Sequence, residues 1–195
     1  MPIYIIEHLE PRLWKWSGLE YRHISELVGK RNLLFTNVRS SAVAAKLRRL
    51  GRVEKRSVVA LNLDRVCILD PETPRTLTPG GARKCAAFVF GGILGDYPPQ
   101  ARTKALLTRK LQHALRNAIV RNLGKKQMAT DNAVAVVREI VRGKRLSQLR
   151  FVDEPSITMR PGESVALPYR YLADKRGLPF ISPALLRHLA SGKTF

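Results

Sequence analysis

Apolar residues along this chain have two textures. Short continuous runs rich in β-branched side chains occur at Ile3 to Ile6, Leu33 to Phe35, Val66 to Leu69, Ala86 to Phe90 and Ala118 to Val120. None alternates apolar with polar, so they read as strands of a parallel sheet covered on both faces. The intervals carry helical spacing instead. Leu13, Trp16, Leu19, Ile24, Leu27 and Val28 fall on one side of a 3.6-residue spiral that Gly29 ends. A basic segment from Ala42 to Leu50 predicts a second helix. A third places Ala133, Val134, Val137, Ile140 and Val141 on one stripe opposite Arg138 and Arg142, with Thr130 expected as its cap and Gly143 as its stop. Strands alternating with helices predict an α/β architecture.

Beyond Arg150 the texture changes. Pro155, Pro161, Pro168 and Pro179 punctuate short β-prone pieces such as Ser156 to Met159 and Ser164 to Ala166. Ser182 as cap and Pro183 at the first helical position announce a last helix carrying Leu185, Leu186 and Leu189. The expected organisation is a core over residues 1–150 and a small β-rich and helical elaboration over residues 151–195.

Charge changes the picture next, because 35 Lys and Arg stand against 15 Asp and Glu, a formal net charge of +20. Such an excess favours a polyanionic partner through counterion release. Basic residues cluster from Arg102 to Lys126, from Lys46 to Arg56 and from Arg138 to Arg150. Arg102, Lys104, Arg109, Lys110, Lys125 and Lys126 are the candidate RNA-binding residues. No apolar run approaches the roughly 20 residues that span a bilayer, and Glu7 and His8 interrupt the N-terminal run, so a cytoplasmic protein with no membrane partner is expected. Cys67 and Cys85 form no CxxC pair and read as buried free thiols. His23, His113 and His188 fit no metal-ligand spacing, so no metal is expected.

Candidate chemistry lies where strands end. The fourth run leads into Gly91-Gly92-Ile93-Leu94-Gly95-Asp96, whose bare backbone suits either a tight turn or the wall of a cofactor site. The spacing is not G-x-G-x-x-G and lacks a phosphate-loop Lys, which excludes the commonest glycine-loop cofactors. Leu69-Asp70-Pro71 closes the third run, and Leu123 to Thr130 follows the fifth. Singly, these are an ordinary turn and an ordinary helix start. In an open α/β sheet, ligands bind outside the carboxyl ends of the strands, which is where all three stretches fall.

In order, these motifs are Tyr4-Ile5-Ile6-Glu7-His8, Val66 to Pro71, Phe88 to Asp96 with Pro98-Pro99, Arg102-Thr103, Leu123-Gly124 with Lys126-Gln127-Met128 and Thr130-Asp131, and Pro168-Tyr169-Arg170-Tyr171. Together they resemble the SPOUT methyltransferases of archaea and fungi over nearly the whole chain. The resemblance implies a SPOUT-type parallel sheet with a C-terminal trefoil knot. It also implies S-adenosylmethionine as methyl donor, held by Leu69, Asp70, Pro71, Gly91, Gly92, Ile93, Leu94, Gly95, Asp96, Leu123, Gly124, Gln127, Met128 and Thr130.

Methyl transfer from a sulfonium mainly requires that a nucleophile be brought in line. Asp96 is the candidate carboxylate for orienting or deprotonating the acceptor, although capping the turn before Pro98 would account for it equally. Glu7 is the second candidate, at the end of the first strand. Charge directs the expectation to an RNA acceptor, transfer or ribosomal. The fungal branch of the family implies the alternative, a protein arginine N-methyltransferase acting on a ribosomal protein. A third reading is a binding protein that keeps the fold without turnover. The resemblance leaves monomer and homodimer both open.

Overall fold

The first strand lies at the middle of a six-stranded sheet ordered β3-β2-β1-β5-β4-β6. The strands are β1 (Ile3–His8), β2 (Leu33–Thr36), β3 (Arg52–Val53), β4 (Val66–Leu69), β5 (Ala87–Gly92) and β6 (Ile119–Arg121). Every pairing is parallel. This computed structural model describes residues 1–93, 103, 107–114, 117–160 and 162–192. The five expected runs each became a strand, shifted by at most two residues at an end. The two-residue β3 has no apolar run to announce it.

The helices are α1 (Lys15–Val28), α2 (Ser41–Leu47), α3 (Pro79–Arg83), α4 (Arg109–Ala114) and α5 (Thr130–Val141). Alternate strand residues sort between two cores. Tyr4, Ile6, Phe35, Cys67, Phe88 and Phe90 meet the apolar faces of α1, α2, α3 and α5. Ile5, Val66, Ile68 and Val89 meet Leu111 of α4 and Val58 of a short 3-10 turn. Because both faces are covered, Ile5, Ile6, Ile68 and Val89 are at most 1% exposed. Burial of each such side chain contributes about 1.5 to 3 kcal/mol.

Two local expectations are corrected. Thr130 does not cap α5 but is its first helical residue, and Ala129 at the cap position offers no side-chain acceptor. Glu20 of α1 faces Thr130 from outside the helix. Cys85 is half-buried rather than buried, while Cys67 is buried, and both are free.

Past residue 150 the chain forms β7 (Phe151–Asp153), β8 (Ser156–Arg160), β9 (Glu163–Ala166), β10 (Arg170–Leu172) and α6 (Pro183–Ala190). β7 pairs with β10 and β8 with β9, both antiparallel. Ser182 Oγ accepts from Leu185 N at 3.0 Å, with Pro183 in the first turn. Leu167, Tyr171, Ile181 and Leu185 pack on Trp16 and Ala129, which fastens this segment to α1 and to the start of α5. Among the described residues, no helix is long and apolar enough to cross a membrane.

Candidate functional site

Strand order makes neighbours of the three candidate stretches. β4 lies between β5 and β6, so Leu69-Asp70-Pro71, Gly91-Gly92-Ile93 and Leu123 to Thr130 leave the sheet side by side from its carboxyl edge. Leu94, Gly95, Asp96, Arg102 and Lys104 lie outside the described residues.

The loops after β4 and β6 are held together by Asn122, a residue that no sequence motif singles out. Its side chain donates to Thr73 O at 2.7 Å and accepts from Thr76 Oγ1 at 3.1 Å and from Gly124 N at 3.0 Å. Its backbone joins as well, through Asn122 N to Arg75 O and Leu77 N to Asn122 O. Asp70 is 3% exposed and accepts from Glu72 N at 2.9 Å, which tightens the turn as the chain leaves β4. An Asn at the end of a strand was the available signal, but it looks the same as an ordinary turn residue.

Gly92 is dictated by its surroundings. A Cβ there would lie 2.9 Å from the backbone O of Glu7 and 2.9 Å from Ile6 Cγ2, and would also meet the Tyr21 hydroxyl. Gly124 has φ +97°, a conformation that favours glycine, and a Cβ there would lie 3.6 Å from Arg170 Nη1. Arg170 covers this loop. Its N–H donates to Gln127 O at 2.8 Å, and its guanidinium grips Asp153 through Nε at 2.6 Å and Nη2 at 3.0 Å. Lys126 Nζ joins the same carboxylate at 2.9 Å. Arg170 above all, and Lys126 with it, hold Asp153 well below the usual carboxylate range.

Glu7 is 2% exposed at the end of β1, and its carboxylate is occupied. It accepts from Thr36 Oγ1, from Ser57 Oγ and from Val58 N at 2.9 Å, joining β1 to β2 and to the 3-10 turn. His8 beside it is buried next to Tyr21, with Nδ1 3.3 Å from the hydroxyl, and burial lowers its pKa.

Behind the third loop is a buried polar cluster. Trp16 Nε1 donates to Glu20 at 2.7 Å, and His23 Nδ1 lies 2.7 Å from Asp131 Oδ2. Asn132, fully buried, accepts from Leu172 N at 2.9 Å and donates to Phe180 O at 3.0 Å. Burial first, and Asp131 second, push the Glu20 carboxyl up to about 8. Of the remaining candidates, Arg109 and Lys110 are exposed on α4, while Lys125 and Lys126 are exposed on the loop after β6.

The donor set has definite chemistry. Leu69 and Leu123 are each 7% exposed, Met128 is half-buried, and Gly124 is bare main chain. Apolar walls with exposed backbone suit a nucleoside.

Comparison with known proteins supplies the rest. The family described as "Protein arginine N-methyltransferase SFM1-like" matches residues 3–194. The protein arginine N-methyltransferase SFM1 of Saccharomyces cerevisiae is 36% identical over 200 residues, covering 94% of this chain and 92% of the yeast protein. The crystal structure of yeast SFM1 complexed with SAM superposes with a TM-score of 0.87 at 35% identity, over 98% of this chain and 91% of that one. A dual-specific Trm10 from Thermococcus kodakaraensis, 14% identical, shares the fold with a TM-score of 0.59 over 76% of this chain and 96% of its own.

These findings correct the expectation of an RNA acceptor. The family that matches residues 3–194 and the yeast relative that aligns over 94% of this chain are both described as protein arginine N-methyltransferases. Net charge describes the whole surface and carries no information about which atom receives the methyl group. The chain belongs to the SFM1-like family of protein arginine N-methyltransferases.

Proposed function

We infer that this chain is an S-adenosylmethionine-dependent methyltransferase whose acceptor is an arginine side chain of a protein, with a ribosomal protein as the implied class. The observation that carries the reading is the junction at the carboxyl edge of β5, β4 and β6, where Asn122 joins two loops into one wall. Solved structures of yeast SFM1 with SAM and with SAH, at 35% identity, support the choice of donor.

Leu69 to Pro71, Gly91 to Ile93, Leu123, Gly124, Gln127, Met128 and Thr130 would hold the donor, with Leu94 to Asp96 completing the set. The bound donor supplies a methyl group already activated on a sulfonium sulfur. The chain's own work is then to orient the acceptor nitrogen and receive the proton it sheds. A guanidinium is charged at any ordinary pH, so it needs a carboxylate close by. We assign that part to Asp96. Glu7 acts at one remove, since its occupied oxygens set where β1 ends rather than meeting the acceptor.

The trefoil knot belongs to this reading, supported by the way residues 70–77 lie bonded alongside Asn122. So does the division into residues 1–150 and 151–195, supported by the separate two-stranded sheets of the second part. The test is to incubate the protein with methyl-labelled S-adenosylmethionine and ribosomal extract, then digest separately with ribonuclease and with protease. Label released only by protease and recovered as methylarginine is expected. Label released by ribonuclease, or none at all, overturns the reading.

A further inference from the structure

In a parallel sheet every helix-to-strand turn returns to the amino edge, here the edge opposite the candidate donor loops. Bonds across that edge fix its layout. Ala86 N donates to Arg65 O at 2.8 Å and Ile3 N to Ala86 O at 2.9 Å, so the starts of β4, β5 and β1 are contiguous. Gly51 is pressed against the start of β2, where a Cβ would lie 2.8 Å from Leu33 O. Ser25 Oγ donates to Leu50 O at 2.6 Å, which ties the end of α1 to the turn after α2. Tyr4 near the start of β1 and Val137 and Ile140 near the end of α5 belong to one core cluster.

Each of these turns carries exposed cations. Lys30 and Arg31 follow α1, Arg48 and Arg49 follow α2, Arg83 and Lys84 close α3, and Lys144 and Arg145 follow α5. A helix C-terminus carries about half a negative charge, which one cation would satisfy. Each of these four turns has two. The acids on the same edge are few. Asp64 is 3.8 Å from Arg65, Glu139 is held by Arg142 and Lys144, and Glu26 lies near the end of α1. Lys30, Arg31, Arg48, Arg49, Arg83, Lys84 and Arg145 have no salt bridge among the described residues. Six strands about 4.8 Å apart make the edge roughly 24 Å long, enough to follow several successive phosphates.

We propose that this amino-edge rim is a docking surface for the phosphate backbone of RNA, separate from the methyl-transfer site and not itself a source of methyl acceptors. It anchors the enzyme to an RNA-rich particle while the opposite edge faces the acceptor protein. The charge is spread over successive turns with no interleaved aromatic platform among the described residues, so the contact reads backbone and not sequence. The inference does not depend on the donor assignment, since RNA binding is measured without donor.

The test measures anisotropy of a labelled RNA hairpin across a salt series. One protein carries Arg48→Gln, Arg49→Gln, Arg83→Gln, Lys84→Gln and Arg145→Gln together. A control carries Arg109→Gln, Lys110→Gln and Lys125→Gln. All five rim side chains are exposed, and circular dichroism checks that the variant keeps its fold. The rim variant should bind RNA about 10- to 100-fold more weakly at low salt. Its log–log salt slope should flatten by about 2 to 3.5, at about 0.7 per lost contact, while methylation of an isolated acceptor protein stays unchanged. Three results overturn the proposal: RNA affinity within twofold of wild type, a loss seen in the control instead, or tighter binding to anionic vesicles or an acidic peptide than to RNA at equal salt.

Discussion

Asn122→Ala removes the side chain that joins two candidate donor loops, and its consequence can be worked from three hydrogen bonds. A hydrogen bond contributes about 0.5 to 1.5 kcal/mol net, and a buried partner left unsatisfied costs about 1 to 3 kcal/mol. Thr76 is exposed and water replaces its lost partner, whereas Thr73 O and Gly124 N are partly buried. The sum is about 2 to 3 kcal/mol. For a chain of this length that lowers Tm by roughly 5 to 10 °C. Thermal unfolding followed by circular dichroism measures it, with calorimetry of S-adenosylhomocysteine binding on the same samples. Binding should weaken by at least about tenfold, since the loop after β6 loses its attachment to the loop after β4. Asn122→Asp keeps the acceptor oxygen but loses the bond to Thr73 O, and should fall between wild type and Asn122→Ala. A variant whose Tm and affinity both matched wild type would refute the claim that this side chain joins the loops.

Glu20 has a raised folded pKa, so the folded state keeps a proton that the unfolded state has released. Stability is therefore full below about 4.5 and declines as pH rises toward about 8. Urea midpoints at pH 6 and pH 9 should show this decline in wild type and a smaller one in Glu20→Gln; identical declines would remove Glu20 from the account. Gly92→Ala places a methyl against the Glu7 carbonyl and Ile6 in a filled core, and overpacking of this kind costs about 1 to 3 kcal/mol. A wild-type Tm for Gly92→Ala would show that the β1 and β5 ends separate more easily than their packing indicates.

The pattern of the chain made the sheet legible because each buried strand left a continuous apolar run, and α1 and α6 were legible from Gly29 and from Ser182-Pro183. β3 was not, since Arg52–Val53 is two residues long and offers only Val53 to the core. The three loops were placed by topology, but what holds them was hidden. Asn122 meets partners 46 and 49 residues away, and no local rule connects them. Glu20 left a trace, as a carboxylate on the same helical stripe as Trp16 and Ile24, and its partner Thr130 is 110 positions distant. Thr130 was misread because the helix starts one residue earlier than a capping Thr would place it, behind Ala129, whose side chain cannot cap. The acceptor was misread because a net charge of +20 is a property of the whole surface, while methyl acceptance is decided within a few ångströms.

The most direct test of the donor site is hydrogen–deuterium exchange of the full chain with and without S-adenosylhomocysteine. Slowed exchange concentrated in residues 69–77, 91–93 and 122–130, with the rim at 30–31 and 83–84 unchanged, is the result these contacts predict. Saturating ligand that left those three segments unprotected, or protected the β8–β9 hairpin instead, would contradict it.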